Sequence, residues 1–397
     1  ENQLPPEQRE RAAKGHPHAL RVAKPLTPDP SPGTGRGESN IPPLVVDQLH
    51  LDEDKVYKLI AAGDNAGVFQ VESSGMREMC RKLKPTCFED IVAGVALYRP
   101  GPMEAGMLDD FIDRKHGRKK VEYPHPLLEQ VLQPTYGTFV YQEQIMQAAQ
   151  VLGGFTLGGA DLLRRAMGKK KKEEMEKQKG AFVSGCARNG ISAQKAGEIF
   201  DTIEKFAGYG FNKSHSAAYA VITYQTAYLK CFYPIEFMAA LLTTEVSSTD
   251  NIVKYIHEAR GHGIEVLPPD VNISGKSFSV DYTVDETLRT RRKHKNTSYG
   301  RIRFGLSAVK GLGDAALEAI LEARAKVGRF TSLYQFLEEL SGKANSKILE
   351  VLVKSGAFDG FGRPRRQQFE SIDRALEAAT QKRREKESGK TSLFDLL

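Results

Sequence analysis

Cysteine is scarce: Cys80, Cys87, Cys186 and Cys231 are the four in 397 residues, and no two form a Cys-x-x-Cys pair. This spacing indicates neither a disulfide framework nor a zinc site. Four core thiols of a cytoplasmic protein are the expectation. No apolar run approaches the roughly 18 residues that a membrane span requires. The first stretch lacks the apolar core of a secretory signal, so no membrane partner is expected. Three signatures of catalysis are missing: Gly-x-x-x-x-Gly-Lys, His-Glu-x-x-His and Gly-x-Ser-x-Gly. Two-metal nucleotidyl transfer needs carboxylates held together on adjacent strands. Asp109 and Asp110 are neighbours, but within a helical stretch their side chains diverge. The chain offers no catalytic residue and no metal ligand set.

What is present is a chain with 40% hydrophobic, 27% charged and 8% aromatic residues, the composition of a globular protein with polar tails. Its length suits two or three domains. A net charge of +7 and a pI near 9.0 bias it toward a polyanionic partner. Residue 1 is Glu and the chain stops after Phe394-Asp-Leu-Leu397, so a piece of a longer protein is expected. Residues 1–45 are charged and rich in Pro and Gly. They read as a disordered linker or insertion.

Compact sequence begins near Val45. Asp52 to Ile60 reads as a helix and Gly67-Val-Phe-Gln-Val71 as a short strand. A helix from Gly75 turns Met76, Met79, Cys80 and Leu83 inward. Phe88 to Leu97 is a second, mostly apolar helix, ended by a turn at Tyr98-Arg-Pro-Gly-Pro102 that presents Arg99. The plainer role for Arg99 is that of a cation at a helix C-terminus. Asp113 to Lys120 reads as a solvated basic run. Tyr136 to Gln144 is a short strand opening a helix, with Gln142 and Gln144 on different faces.

In Gly158-Gly-Ala-Asp-Leu-Leu-Arg-Arg-Ala-Met-Gly-Lys-Lys-Lys-Lys172, one helical face carries Arg165, Lys169 and Lys172. Arg164 and Lys171 lie beside it. Glu173, Glu174 and Glu176 come only later, so the Arg pair reads as uncompensated and suited to a triphosphate or a nucleic-acid backbone. Further helices run over Ile191–Phe206, Tyr233–Thr243 and Asp250–His262.

The richest stretch is Phe206-Ala-Gly-Tyr-Gly-Phe-Asn-Lys-Ser-His-Ser-Ala-Ala-Tyr-Ala220. Gly208 and Gly210 suggest a tight path with positive φ, and Asn212 or Ser214 caps the helix that follows. Lys213 and His215 then sit where free N–H groups favour an anion. Ala217, Ala218, Val221 and Tyr224 mark its buried face. Such a loop holds a phosphorylated ligand or nothing, and the residues alone leave both open.

Leu267-Pro-Pro-Asp270 reads as a domain boundary. Beyond it, Ser277–Tyr282 and Ile302–Leu306 form a small hairpin around the basic loop Arg289–Lys295. Lys310, Gly311 and Gly313 form a glycine turn into an amphipathic helix, which reads equally as an ordinary helix start with a glycine bend or as a helix-hairpin-helix element whose backbone N–H groups approach a DNA phosphate. A second, similar unit covers Ser346–Phe358. One tail helix turns Phe369, Ile372, Leu376 and Ala379 inward. Leu393 and Phe394 end a polar arm in the manner of a short docking motif.

Several of these stretches together resemble family C, the bacterial replicative DNA polymerase III alpha subunits. They are Phe69-Gln-Val-Glu-Ser-Ser-Gly-Met, Tyr98-Arg-Pro-Gly-Pro, Phe111-Ile-Asp-Arg-Lys-His-Gly, Tyr141-Gln-Glu-Gln, Leu163-Arg-Arg-Ala-Met-Gly-Lys-Lys and Gly208-Tyr-Gly-Phe-Asn-Lys-Ser-His-Ser-Ala-Ala-Tyr-Ala. The resemblance covers about 46–397. It implies a mainly α fold: a helical fingers domain at 46–260, then a small α+β helix-hairpin-helix domain at 261–360. A helical tail at 361–397 with a clamp-binding-like motif follows, and residues 1–45 form a disordered N-terminal segment.

By the same resemblance, Arg164 and Arg165 meet the triphosphate of an incoming deoxynucleotide, supported by Arg99, Lys169 and Lys213. His215, beside Tyr209, lies at its sugar. Lys310, Gly311 and Gly313 contact primer-template DNA, and Leu393 and Phe394 the sliding clamp. Other subunits of the replicative holoenzyme are implied as partners. Mg²⁺ would be held by palm aspartates, which this chain lacks. Residues 1–45 do not resemble the family, and Lys390 stands where the clamp motif usually begins with Gln. The implied activity is DNA-directed DNA polymerisation by the complete subunit, with this chain alone inactive. The alternative is a non-catalytic DNA- and clamp-binding fragment.

Overall fold

The computed structural model describes residues 44–169, 172–282 and 300–387. Helices dominate it, with one three-stranded sheet in which β3 (Arg301–Arg303) lies between β1 (Val266–Leu267) and β2 (Ser279–Asp281). Short helices Asp54–Ala61 and Phe88–Leu97 pack on the long helix Lys213–Phe232, and Ser74–Leu83 and Met107–Lys115 join the same core by packing on Phe88–Leu97. Met76, Met79, Cys80 and Leu83 are buried as their spacing requires. Beside this core, Gln142–Gly153, Leu157–Lys169, Lys172–Arg188 and Ala193–Ala207 form a second helical cluster around Phe182 and Phe200.

Five local expectations are corrected. Gly67–Val71 is two successive turns, with Val68 N–H donating to Asn65 and Val71 N–H to Val68; Gln70 has φ +67°, which a strand cannot hold. Tyr98–Pro102 is more than a turn: Arg99 caps a short helix Pro100–Glu104 whose prolines fill its first turn. The strand before Gln142 shrinks to one parallel bridge between Tyr141 and Phe211. On the long helix the buried side chains are Ser216, Ala220, Thr223, Tyr224, Ala227, Tyr228 and Lys230, while Ala218 faces out. The tail helix is broken at Ser371 into Arg365–Glu370 and Ile372–Glu387. That break leaves Phe369 39% exposed, with the Lys354 ammonium 5.1 Å from its ring, while Ile372 is buried.

The basic run at 113–120 is matched by local acids. Arg118 pairs with Asp113 and Lys119 with Asp110. Lys115 is not solvated: it reaches the buried Asp90 at 2.9 Å. Burial alone would raise the Asp90 carboxyl, but donors from Thr86 and Lys115 hold it below the usual carboxylate range.

The expected hairpin gains a third strand. β2 (Ser279–Asp281) pairs antiparallel with β3 (Arg301–Arg303), and β1 (Val266–Leu267) pairs parallel on its other side. This sheet shares a core with helices Pro234–Thr244 and Thr249–Gly261 through Phe278, Ile302, Ile235 and Met238. A separate apolar core, with Val271, Leu306 and Phe358, unites helices Asp314–Val327, Leu333–Leu340 and Ser346–Ser355. The chain therefore crosses to the second core after Leu267-Pro-Pro, returns to the first at Phe278 and crosses again after β3. The loop Arg289–Lys295, the tail residues Leu393 and Phe394, and almost all of 1–45 lie outside the described residues.

Candidate nucleotide and nucleic-acid interface

The loop Gly208–Asn212 is pinned by groups that the sequence scatters widely. Phe211 N–H donates to the Val140 carbonyl at 3.0 Å, and its own carbonyl accepts from Gln142 N–H at 2.9 Å. Arg99 Nη2 donates to the Tyr209 carbonyl at 2.7 Å, and Arg99 Nε to the Ala96 carbonyl at 2.8 Å. Its guanidinium lies 4.5 Å from the centre of the Phe211 ring, a cation–π contact. Burial lowers the Arg99 pKa without discharging it.

Gly210 is closely packed. Neither Gly208 nor Gly210 has positive φ. A Cβ on Gly210 would stand 3.3 Å from Gln142 Cγ. The Gln142 amide uses that gap, donating to the Gly210 carbonyl at 3.1 Å while accepting from Arg164 Nη1 at 3.2 Å. Tyr209 packs over Gly101, where a Cβ would come within 2.8 Å of its ring.

Two carboxylates absent from the sequence-based site sit within it. Asp161 bonds both Arg164, at 2.8 Å, and Arg165, at 2.7 Å. The arginine pair is therefore compensated, contrary to expectation, and the two guanidiniums hold the Asp161 carboxyl below its usual range. The signal was legible, since Asp161 stands three and four residues before them on the same helical surface.

Glu143 is the second. Both its oxygens accept from Lys213 N–H, at 3.1 and 3.0 Å, and one also accepts from Asn212 Nδ2. Asn212 Oδ1 caps the helix by accepting from His215 N–H at 2.8 Å. The helix start that favours an anion already holds one from its own chain. No local pattern places Glu143 there, 70 residues away.

The Lys213 ammonium lies 5.5 Å from the centre of the Tyr141 ring. His215 is exposed, its ring 5.5 Å from Phe211 and 4.5 Å from Tyr219. Arg99, Arg164, Lys213, His215 and Tyr209 thus gather around one loop. Arg165 is joined to them through Asp161. The Lys169 side chain is outside the described ones.

At the far end of the long helix lies a cluster that the sequence did not announce. Lys230, with its side chain 2% exposed, bonds Asp64 at 2.7 Å and Glu258 at 3.1 Å, and His262 reaches both acids. Asp64, Glu258 and His262 have the proximity of a metal site, but the Lys230 ammonium supplies the positive charge. The cluster does not fit a metal ion.

In the last domain, Lys310 and Gly311 are exposed, and Gly311 has φ +95°. Gly313 is the N-cap of Asp314–Val327, with no side-chain cap. Among the described residues no helix is long and apolar enough to cross a membrane.

A helical assembly that gathers cations around one loop is joined here to a glycine-turn helical domain. Residues 36–190 match the bacterial DNA polymerase III alpha subunit finger domain, and 263–368 match the helix-hairpin-helix motif. The chain is 46% identical to the DNA polymerase III subunit alpha of Pseudomonas aeruginosa over 90% of its own length, and 46% to that of Escherichia coli K12 over 91%. It is 48% identical to that of Campylobacter jejuni over 88%. It spans 31%, 30% and 28% of these relatives' lengths. The chain belongs to the family of bacterial DNA polymerase III alpha subunits.

Proposed function

We propose that this chain forms the nucleotide-orienting and DNA-gripping part of a replicative DNA-directed DNA polymerase. The observation that carries this reading is the loop Gly208–Asn212, to which Arg99 bonds directly and Arg164 through Gln142, and from which Lys213 and His215 continue. An incoming deoxynucleoside triphosphate would meet Arg99 first, since no carboxylate among the described residues pairs with it. Arg164, Arg165 and Lys169 supply charge from the neighbouring helix, where Asp161 exchanges one of its partners for a phosphate. Preorganised cations of this kind orient the nucleotide and stabilise charge developing on its phosphates.

Glu143 stands in for the anion at the start of the long helix until a phosphate displaces it. His215 and Tyr209 present polar edges to the sugar. Lys310, Gly311 and Gly313 hold the primer-template backbone, while Leu393 and Phe394 engage the sliding clamp within the holoenzyme. The Mg²⁺ ions belong to carboxylates elsewhere in the polymerase.

The test is paired binding on the purified chain. Arg99→Ala and Arg165→Ala each weaken deoxynucleoside triphosphate binding more than fivefold and leave affinity for primed DNA within twofold. Equal losses for both ligands would make this face a DNA-backbone contact and overturn the assignment.

A further inference from the structure

The glycine turn of the second domain borders a cleft that the nucleotide site does not use. It encloses about 630 Å³ between the helix Thr249–Gly261 and the turn, and three charged residues line it: Arg260, Lys310 and Lys354. All three are cations, and among the described residues no carboxylate lines the cleft. Much of the remaining lining is apolar, including Leu267, Phe304 and Val351.

The fold brings these charges together from three elements. Gly311, at φ +95°, lets the turn seat against the helix Ser346–Ser355, where a Cβ would lie 3.2 Å from Val351 Cγ2. Lys354 follows Val351 by three residues, one turn along the same helical face. Arg260 comes from the other core, in the last turn of Thr249–Gly261. Its position also suits the helix dipole, but that role does not require Lys310 and Lys354 beside it. Among the described residues Arg260 and Lys310 form no ion pair, and the Lys354–Glu350 pair lies at the surface. Cations beside apolar walls attract an anion more strongly than cations in open water.

We propose that this cleft is a second phosphodiester contact, so that a DNA strand seated on the glycine turn continues across the seam onto Arg260. An extended backbone fits the observations better than a compact anion, because the three cations come from three separate elements along one cleft. The inference rests on the turn being a DNA contact, and the experiment separates the two.

Affinity of the purified chain for a labelled primed duplex is measured against salt concentration. Each phosphate contact contributes about 0.9 to the slope of log affinity against log salt. The double substitution Arg260→Gln with Lys354→Gln lowers the slope by about 2, and Lys310→Gln lowers it by about 1. A reduced slope for Lys310→Gln with an unchanged slope for the double variant overturns the cleft and leaves the turn in place. No change in either overturns both. Restoring Lys at position 260 recovers about 1 in slope if the contact is purely electrostatic. All three side chains are at the surface, and an unchanged melting temperature shows that the variants fold.

Discussion

Two helices, each led by a glycine-bearing loop and each tied down near its far end by a cation, begin in opposite ways. Lys213–Phe232 starts closed: Asn212 caps it and the Glu143 carboxylate binds its first N–H. Asp314–Val327 starts open, on Gly313, with no side-chain cap. Their far ends differ as well. Lys230 is buried between two carboxylates, whereas Arg324 donates to the carbonyls of Val271 and Ser274. A helix start already holding a carboxylate must exchange it for a ligand, while an open start can meet a phosphate through its N–H groups directly.

The largest effect is expected at the anchors. Lys230→Met leaves Asp64 and Glu258 facing each other with only His262 to bridge them. Removing one partner of a buried pair costs about 3–5 kcal/mol, and the low end applies because both acids keep partial contact with water. Arg324→Met abandons two carbonyls and costs about 1–3 kcal/mol. Urea unfolding of both variants measures the difference, and equal costs would break the contrast between the two anchors.

Next come the glycines. Gly311→Ala forces a side chain into positive φ, at about 1–2 kcal/mol, and weakens binding to primed DNA. Gly210→Ala needs no such φ and costs less in stability. Its Cβ pushes instead on Gln142, the link to Arg164, so the loss should fall on nucleotide binding. Isothermal titration with each ligand separates the two.

The caps follow. Asn212→Ala costs about 1 kcal/mol, and Gly313→Asn, which supplies the missing cap, stabilises by a few tenths. Thermal melts of the pair would show a loss and a gain. Two losses would mean that the open start is already satisfied.

The smallest effect is a pH dependence. Burial would raise Asp64, but hydrogen bonds from His262 and Lys230 outweigh it and hold its carboxyl below the ordinary range. The stability this gives is present above the unfolded value of 3.8 and is lost as pH falls through the depressed folded value. His262 is raised, chiefly by its hydrogen bond to Asp64. Its contribution is complete below the unfolded 6.5 and is lost as pH rises through the folded value. Melting curves across neutral pH should therefore show a loss of under about 1 kcal/mol on the alkaline side. His262→Gln flattens it.

What the sequence determined by itself is local. Periodicity placed Met76, Met79, Cys80 and Leu83 inside, Asn212 was a legible cap, and the spacing of Gln142 and Gln144 sent them to different partners. The cations that the fold gathers around the Gly208–Asn212 loop could be picked out as candidates, because their motifs are contiguous and specific. Their carboxylates were read less well: Asp161 was within reach of helical spacing, yet Glu143 was not. Nothing in a helix's own pattern says which distant side chain will meet its first N–H. Only the tertiary structure brought Glu143 to Lys213, Lys230 to Asp64 across 166 residues, and Arg260 to the cleft beside Lys310. The physical reason is that periodicity and caps act within a few residues, whereas these pairings depend on how whole helices dock.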